Sequence, residues 1–202
     1  MAELKLYFAD CAGVPSNCSY PHEAVISDAV ILRQVVRRDY VCVAYQKGYR
    51  ANSNFLTTTC LGMDCDNDHS ESPDEWVTPE DVRRTFPDVT LAIHFSRNSM
   101  KEKRGKAPRP KFHVLFLIDE MTDPAEYSAL KKRVNSIFPY FDTKALDAAR
   151  FFFGTEEPDV EFHTGSLTLN ECLEMYYPEA DDDALRFSSF SMFLNARYVV
   201  GS

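Results

Sequence analysis

Hydrophobic and polar positions along the chain follow two different periods, and these periods separate the predicted strands from the predicted helices. Runs of β-branched and aromatic residues predict strands over residues 39–45, 55–63, 89–96, 111–118 and 150–154. Apolar residues at helical spacing predict helices over residues 27–38, 78–86, 123–138 and 168–177. The pattern of residues 181–202 is ambiguous.

The predicted helices begin at residues that cap helices well. Thr78 and Asp123 are each followed by proline, and Thr168 is followed three positions later by a glutamate. Ser27 is the predicted cap of the first helix. These signals indicate four helices with defined starts.

The order of the predicted elements is mixed rather than strictly alternating. Pairs of strands joined through loops indicate antiparallel pairing with helices on one face, which is an α+β fold and not a doubly wound parallel sheet. The chain also lacks the glycine-rich loops of the dinucleotide-binding and P-loop folds.

The composition indicates a globular protein. The 202 residues are 45% hydrophobic and 26% charged, which is enough chain for one domain with its own core. No apolar run approaches the roughly 18 residues that span a bilayer. The first residues do not resemble a signal peptide. We therefore expect a cytoplasmic protein that does not enter a membrane.

Charge is unevenly distributed along the chain, although the net charge is −9. Eight acidic residues and no Lys or Arg lie between Asp64 and Asp81. Seven basic residues and one glutamate lie between Arg97 and Lys111. The net charge argues against a protein that coats nucleic acid with its whole surface. The basic stretch is either a solvated loop or a phosphate-binding one.

The six cysteines do not form a CxxC pair. The spacing that comes nearest to a metal site is Cys11, Cys18 and His22, and the alternative is a set of half-buried thiols. We expect reduced cysteines and no zinc site.

Two carboxylates, Asp64 and Asp66, follow the apolar strand 55–63. Because side chains alternate along a strand, both carboxylates face one side and Cys65 faces the other. Paired carboxylates repel unless a cation lies between them, and hard oxygen ligands favour Mg²⁺ or Mn²⁺. The alternative is a solvated acidic turn. The offsets of a calcium-binding EF-hand loop are absent.

Basic residues and further carboxylates lie near two other strands. Lys111 and His113 share one face of the strand 111–118, next to the basic loop, and together could hold a triphosphate. Asp142 or Asp147 could supply a third metal ligand, and Arg150 a further phosphate contact. A structural turn or ion pair is the alternative for each of them.

Three motifs in this order resemble those of the archaeo-eukaryotic primase (AEP) superfamily, in particular its phage, plasmid and mobile-element primase-polymerases. The motifs are LGMDCDND at 61–68, KFHVLF at 111–116 and FDTKALDAARFFFG at 141–154. The resemblance extends from about residue 40 to about residue 154. Lys111 departs from the family pattern, which usually has serine at that position.

The resemblance implies an RRM-like antiparallel sheet with flanking helices, a smaller N-terminal α/β unit, and an active site in the cleft between them. It implies a single primase-polymerase catalytic domain over 1–202, which we divide at about 1–55, 56–165 and 166–202.

The activity implied is template-directed nucleotidyl transfer with two Mg²⁺ or Mn²⁺ ions. Asp142 is preferred to Asp147 as third carboxylate, because an aromatic residue precedes it and Arg150 follows it at a suitable distance. The metal and catalytic residues implied are Asp64, Asp66 and Asp142. The nucleotide-binding residues implied are His113, Lys111, Arg150, Arg97 and Lys101.

The partners implied are a single-stranded DNA template, a primer strand, NTP or dNTP, and a helicase, fused or separate. The template would lie along a basic and aromatic surface formed by Arg37, Arg38, Lys47, Tyr49 and Arg50. Two other readings stay open. One is a non-catalytic RRM-like nucleic-acid-binding module, and the other is a replication-initiator nuclease, which needs a His-hydrophobic-His pair that the sequence lacks.

Overall fold

The computed structural model describes residues 3–102, 105 and 107–178. The strands are β1 (Lys5–Phe8), β2 (His22–Val25), β3 (Tyr40–Val41), β4 (Ala44–Tyr45), β5 (Phe55–Cys65), β6 (Leu91–Phe95), β7 (Phe112–Met121), β8 (Phe151–Phe152) and β9 (Val160–His163). The α-helices are α1 (Ala29–Val35), α2 (Pro79–Thr85), α3 (Pro124–Ile137) and α4 (Leu169–Tyr176).

The strands form two antiparallel sheets. One has four strands in the order β2-β1-β3-β8, and the other has five in the order β4-β5-β7-β6-β9. The predicted α+β class is therefore confirmed. The two sheets exchange strands along the chain, because β4 belongs to the five-stranded sheet while β8, much later in sequence, belongs to the four-stranded one.

The five-stranded sheet has a buried core on each face. Alternate residues of β5 such as Leu61 and Met63 pack with buried side chains of α2, α3 and α4. The opposite face, which includes Cys60 and Leu115, packs against α1 and the four-stranded sheet. At Gly62 the two sheets approach so closely that a Cβ atom would lie 2.7 Å from the Phe152 ring. The result is three layers: α2, α3 and α4, then the five-stranded sheet, then the four-stranded sheet with α1, so the prediction of helices on one face is wrong for α1.

Three of the four predicted helix starts are correct, and one is wrong by one residue. Thr78 and Thr168 each form a capping box, and the Asp123 carboxylate accepts hydrogen bonds from the first turn of α3. Helix α1 is capped by Asp28 and not by Ser27, because the Asp28 side chain accepts from the backbone N–H groups of Val30 and Ile31. An aspartate satisfies two free donors at once here.

The predicted strand 39–45 is divided in the structure. Its first half, β3, pairs in the four-stranded sheet, and its second half, β4, pairs in the five-stranded sheet. Strands β1, β2 and β9 were not predicted, because each has only four residues and none shows a full alternating period. Most of the predicted C-terminal segment, from residue 179 onward, lies outside the described residues.

Among the described residues, no helix combines the length and apolar character needed to cross a membrane.

Candidate functional site

A row of polar side chains crosses three neighbouring strands of the five-stranded sheet. Asp64 on β5 lies directly opposite His113 on β7, and His113 lies opposite His94 on β6. All three stand on the face that meets the four-stranded sheet, in line with apolar residues such as Leu115. This polar row still contacts the four-stranded sheet, because the His113 ring lies 4.8 Å from the Phe152 ring, measured between centres.

Asp64 is buried, and both of its carboxylate oxygens have partners. Oδ1 lies 2.6 Å from Nδ1 of His113, and Oδ2 accepts from Nη2 of Arg150. Burial alone would raise the pKa of Asp64, but His113 and Arg150 outweigh burial and hold this pKa well below its usual value. Asp64 is therefore a carboxylate at neutral pH.

The stability of the protein should reflect this lowered pKa. An aspartate in an unfolded chain has a pKa of about 3.9, so the contribution of Asp64 is complete above about pH 5 and declines as the pH falls towards its folded pKa. Asparagine does not titrate. We expect the difference in free energy of unfolding between wild type and Asp64→Asn, measured in urea, to narrow below about pH 5.

The control for this measurement is Asp119→Asn, which removes an exposed carboxylate from the neighbouring strand β7. A difference between wild type and Asp64→Asn that is constant from pH 7 to about pH 3 would contradict the assigned ion pairs.

Lys111 faces the second carboxylate of the pair. Asp66 lies two residues beyond Asp64, and Lys111 lies two residues before His113, so antiparallel pairing brings them together. The nearly buried Nζ of Lys111 lies 3.5 Å from Oδ2 of Asp66 and 3.5 Å from Oδ1 of Asp68. Lys111 thus neutralises the acidic end of β5 from within the fold.

These side chains surround one cavity of about 130 Å³, hereafter the first cavity. Its charged and titratable lining consists of Asp64, Asp66, Arg97, Lys111, His113 and Arg150. Its other walls are Ser96, Asn98 and the phenylalanines 151–153. The first cavity therefore lies where β5 and β7 of one sheet meet β8 of the other, and it brings together six of the eight residues that the sequence singled out.

The remaining predicted residues lie elsewhere. Asp142 adjoins the site through its backbone, since its N–H donates to the carbonyl of Asp64 at 2.8 Å. Its carboxylate, however, caps its own turn by accepting from the N–H of Lys144 at 2.9 Å, and it does not line the first cavity. The alternative Asp147 is exposed, and Lys101 lines a second cavity nearby.

Asp64 and Asp66 suit a divalent cation in their chemistry, although both oxygens of Asp64 are already engaged by His113 and Arg150. Both are acidic oxygen donors on one cavity wall, and Asp64 is ionised. A third ligand is not in place, because no cluster of three His, Cys, Asp or Glu residues suited to a metal occurs within the described ranges. His22, which with Cys11 and Cys18 has a spacing like that of zinc ligands, pairs with Asp10, and its Nε2 lies 2.6 Å from Oδ1 of Asp10.

His94 is a site residue that the sequence reasoning missed. It is fully buried, with Nδ1 3.0 Å from the Tyr40 hydroxyl and Nε2 3.1 Å from the Thr155 hydroxyl. Burial, and then the nearby His113, hold the pKa of His94 well below its usual value, so the ring is neutral. The available signal was a histidine at an inward position of an apolar strand, which by itself indicates no partner.

Part of the basic stretch 97–111 is used to hold the acidic loop 67–76. Arg109 is fully buried and donates to the carbonyls of Asn67 and Ser70 and to the carboxylate of Glu71 at 2.6 Å. Arg109 also lies over the Trp76 ring. This arginine therefore cannot meet a phosphate, and of the described cations in the stretch, Arg97, Lys101 and Lys111 line the two cavities.

One residue of the predicted template surface, Arg50, is also held by contacts within the protein. Arg50 donates to the carbonyls of Ala149 and Asn17 and lies 4.7 Å from the centre of the Phe151 ring, so its main contacts are structural. Arg37, Arg38 and Tyr49 are exposed.

No protein family and no curated protein matches this sequence. Among solved structures, the chain is similar to the AEP domain of the primase-polymerase (PrimPol) of cyanophage S-2L. That match has a TM-score of 0.41 and 10% sequence identity, and it covers 93% of this chain and 89% of the cyanophage domain. A likeness of this size carries no argument about activity, so the geometry of the site alone supports a functional proposal.

Proposed function

We propose that the protein catalyses template-directed nucleotidyl transfer, as a primase, a DNA polymerase or both. The observation that carries this proposal is the first cavity, in which a carboxylate pair faces Arg97, Lys111, His113 and Arg150. Carboxylates and cations in one small cavity suit a reaction in which an anionic triphosphate is attacked by a hydroxyl group. Residues from each of the three sequence motifs that resemble those of AEP enzymes line this cavity, although Asp142 of the third motif does not.

Each side chain has a role that follows from its contacts. The cations bind the phosphates of the incoming nucleotide, and His113 presents its Nε2, because its Nδ1 is engaged by Asp64. Arg150 exchanges part of its contact with Asp64 for a phosphate oxygen, and its Nε is buried with no partner among the described residues. Lys111 holds Asp66 oriented towards the cavity.

Asp64 and Asp66 would hold the two divalent ions, with Asp142, whose backbone N–H donates to Asp64, as the proposed third ligand. When bound, Mg²⁺ or Mn²⁺ lowers the pKa of the attacking 3′-hydroxyl and neutralises phosphate charge. The neutral ring of His94 packs beside the ring of His113. Both nitrogens of His94 have hydrogen-bond partners, so the ring is held in place.

The proposal also covers the fold and the partners. The five-stranded sheet is the RRM-like sheet, and the catalytic domain is divided into parts at about 1–55, 56–165 and 166–202. The substrates include a DNA template and its primer.

The test is nucleotide incorporation by the wild-type chain, on a primed DNA template and on bare single-stranded DNA. Ribo- and deoxynucleotides are each supplied with Mg²⁺, with Mn²⁺ or with EDTA. We expect metal-dependent extension of the primer, and product on the bare strand would add priming. If neither metal supports incorporation of any nucleotide while the DNA still binds, the enzyme proposal is wrong and a binding module remains.

A further inference from the structure

A second cavity, of about 450 Å³, adjoins the first at Arg97, whose side chain lines both. Its other walls come from residues 12–13, Lys101 and residues 154–157. Pockets for small organic ligands typically measure about 300–1,000 Å³. The first cavity is too small for a whole nucleotide, and the second has the size of a nucleoside.

The walls of the second cavity are held in place by one buried carboxylate. Asp39 is fully buried and accepts hydrogen bonds from the N–H groups of Gly13 at 2.8 Å, Val14 at 3.0 Å and Gly154 at 2.8 Å. One side chain therefore joins the segment on one side of the cavity to the segment on the other. Charged hydrogen bonds of this kind make a preformed cavity.

Gly13 allows Arg97 to reach the junction. Its φ of +77° suits glycine, and a Cβ atom there would lie 3.0 Å from Nη1 of Arg97. The guanidinium carbon of Arg97 lies 3.8 Å from the centre of the Phe153 ring. Arg97 makes no hydrogen bond or ion pair with any of the described residues, so its donors are available to a ligand at the point where the cavities meet.

The lining of the second cavity also contains two carboxylates. Glu156 and Glu157 are consecutive, exposed, and in no ion pair within the described part of the chain. Carboxylates repel phosphate but accept hydrogen bonds from hydroxyl groups. A carboxylate that accepts from the ribose 2′-hydroxyl is a known means of recognising ribose. These two glutamates therefore suit the sugar of a nucleotide and not its phosphates.

We propose that a single ribonucleoside triphosphate spans both cavities. Its phosphates lie in the first cavity among Lys111, His113 and Arg150, and Arg97 binds the phosphate next to the sugar. Its ribose and base lie in the second cavity, where Glu156 and Glu157 accept from the ribose hydroxyls. This inference rests on the proposed function and deepens it, because it names ribonucleotides as the substrate class.

The test is equilibrium binding of ATP, dATP and inorganic triphosphate in the presence of Mg²⁺. We expect the wild type to bind ATP about tenfold more tightly than dATP, the size of one charge-assisted hydrogen bond. Glu156→Ala/Glu157→Ala should lose this preference and bind inorganic triphosphate at least as tightly as the wild type does. Lys111→Met should weaken the binding of all three ligands.

The matched control is Glu126→Ala/Glu174→Ala, which removes two exposed glutamates from α3 and α4 and should keep the preference for ATP. Equal binding of ATP and dATP by the wild type, tighter binding of dATP, or an unchanged preference in the Glu156/Glu157 variant would each overturn the inference.

The two proposals fail in different ways. Incorporation that requires Asp64 but does not distinguish the two sugars would remove this inference and leave nucleotidyl transfer standing. Tighter binding of ATP than of dATP, without incorporation of any nucleotide, would remove nucleotidyl transfer and leave the ribonucleotide-binding site standing.

Discussion

Asp64→Ala/Asp66→Ala is expected to lower nucleotide incorporation by roughly 10³-fold or more. The two carboxylates are the acidic donors of the first cavity, and both face its cations. Without them no described carboxylate lines that cavity, whose remaining charged or titratable groups are Arg97, Lys111, His113 and Arg150. Primer extension with Mg²⁺ and with Mn²⁺ measures the loss.

The affinity of this variant for inorganic triphosphate should not fall with its activity. Removing Asp64 frees Arg150 and His113, and removing Asp66 frees Lys111, so the cavity becomes more positive and should bind inorganic triphosphate at least as tightly as the wild type. A combined loss of incorporation and of binding would indicate a collapsed site instead of a missing catalytic pair.

The control variant is Asp88→Ala/Asp119→Ala, which makes the same change in net charge at exposed positions away from the cavity. It should extend primers at the wild-type rate. Full incorporation by Asp64→Ala/Asp66→Ala would remove the metal-binding role from both residues.

Asp39→Ala is expected to lower the free energy of unfolding by about 3–5 kcal/mol. The substitution removes the acceptor of three backbone N–H groups that belong to two distant segments, at Gly13, Val14 and Gly154. The three donors lose a charged acceptor, and the two segments lose the contact that joins them. Urea unfolding followed by circular dichroism measures the effect, and the melting temperature should fall by roughly 10 °C.

The isosteric Asp39→Asn keeps one acceptor oxygen, so its loss should be smaller than that of Asp39→Ala. Asp88→Ala removes an exposed aspartate and should leave stability within about 0.5 kcal/mol of the wild type. A loss below about 1 kcal/mol in Asp39→Ala would mean that the three donors find water or other partners, against the assignment made here.

The local elements of this fold could be read from the sequence because short-range rules decide them. The β-branched and aromatic residues of β5 and the apolar stripe of α3 are signals that neighbouring residues carry. The caps at Thr78 and Thr168 are side-chain hydrogen bonds to the next turn, so they depend on residues three positions apart. Strands of two to four residues carry too few positions to show a period, and β1, β2 and β9 were missed for that reason.

The candidate site could be predicted only in part. The alternation of a strand placed Asp64 and Asp66 on one face, and Lys111 and His113 on one face of another strand, before any tertiary contact was known. The pairing of these two strands, with Asp64 opposite His113, is a matter of register between residues 49 positions apart. No local rule specifies such a register.

Other features came only from the tertiary structure. Arg109 reads as one more cation of a phosphate-binding loop, yet burial commits it to the carbonyls and carboxylate of the acidic loop. Asp39 reads as the first residue of a predicted strand, yet it joins segments 26 and 115 positions away. The sequence by itself determined where strands and helices form and which faces carry the carboxylates and cations. The tertiary structure decided which charges meet, because long-range packing selects which charges are buried together.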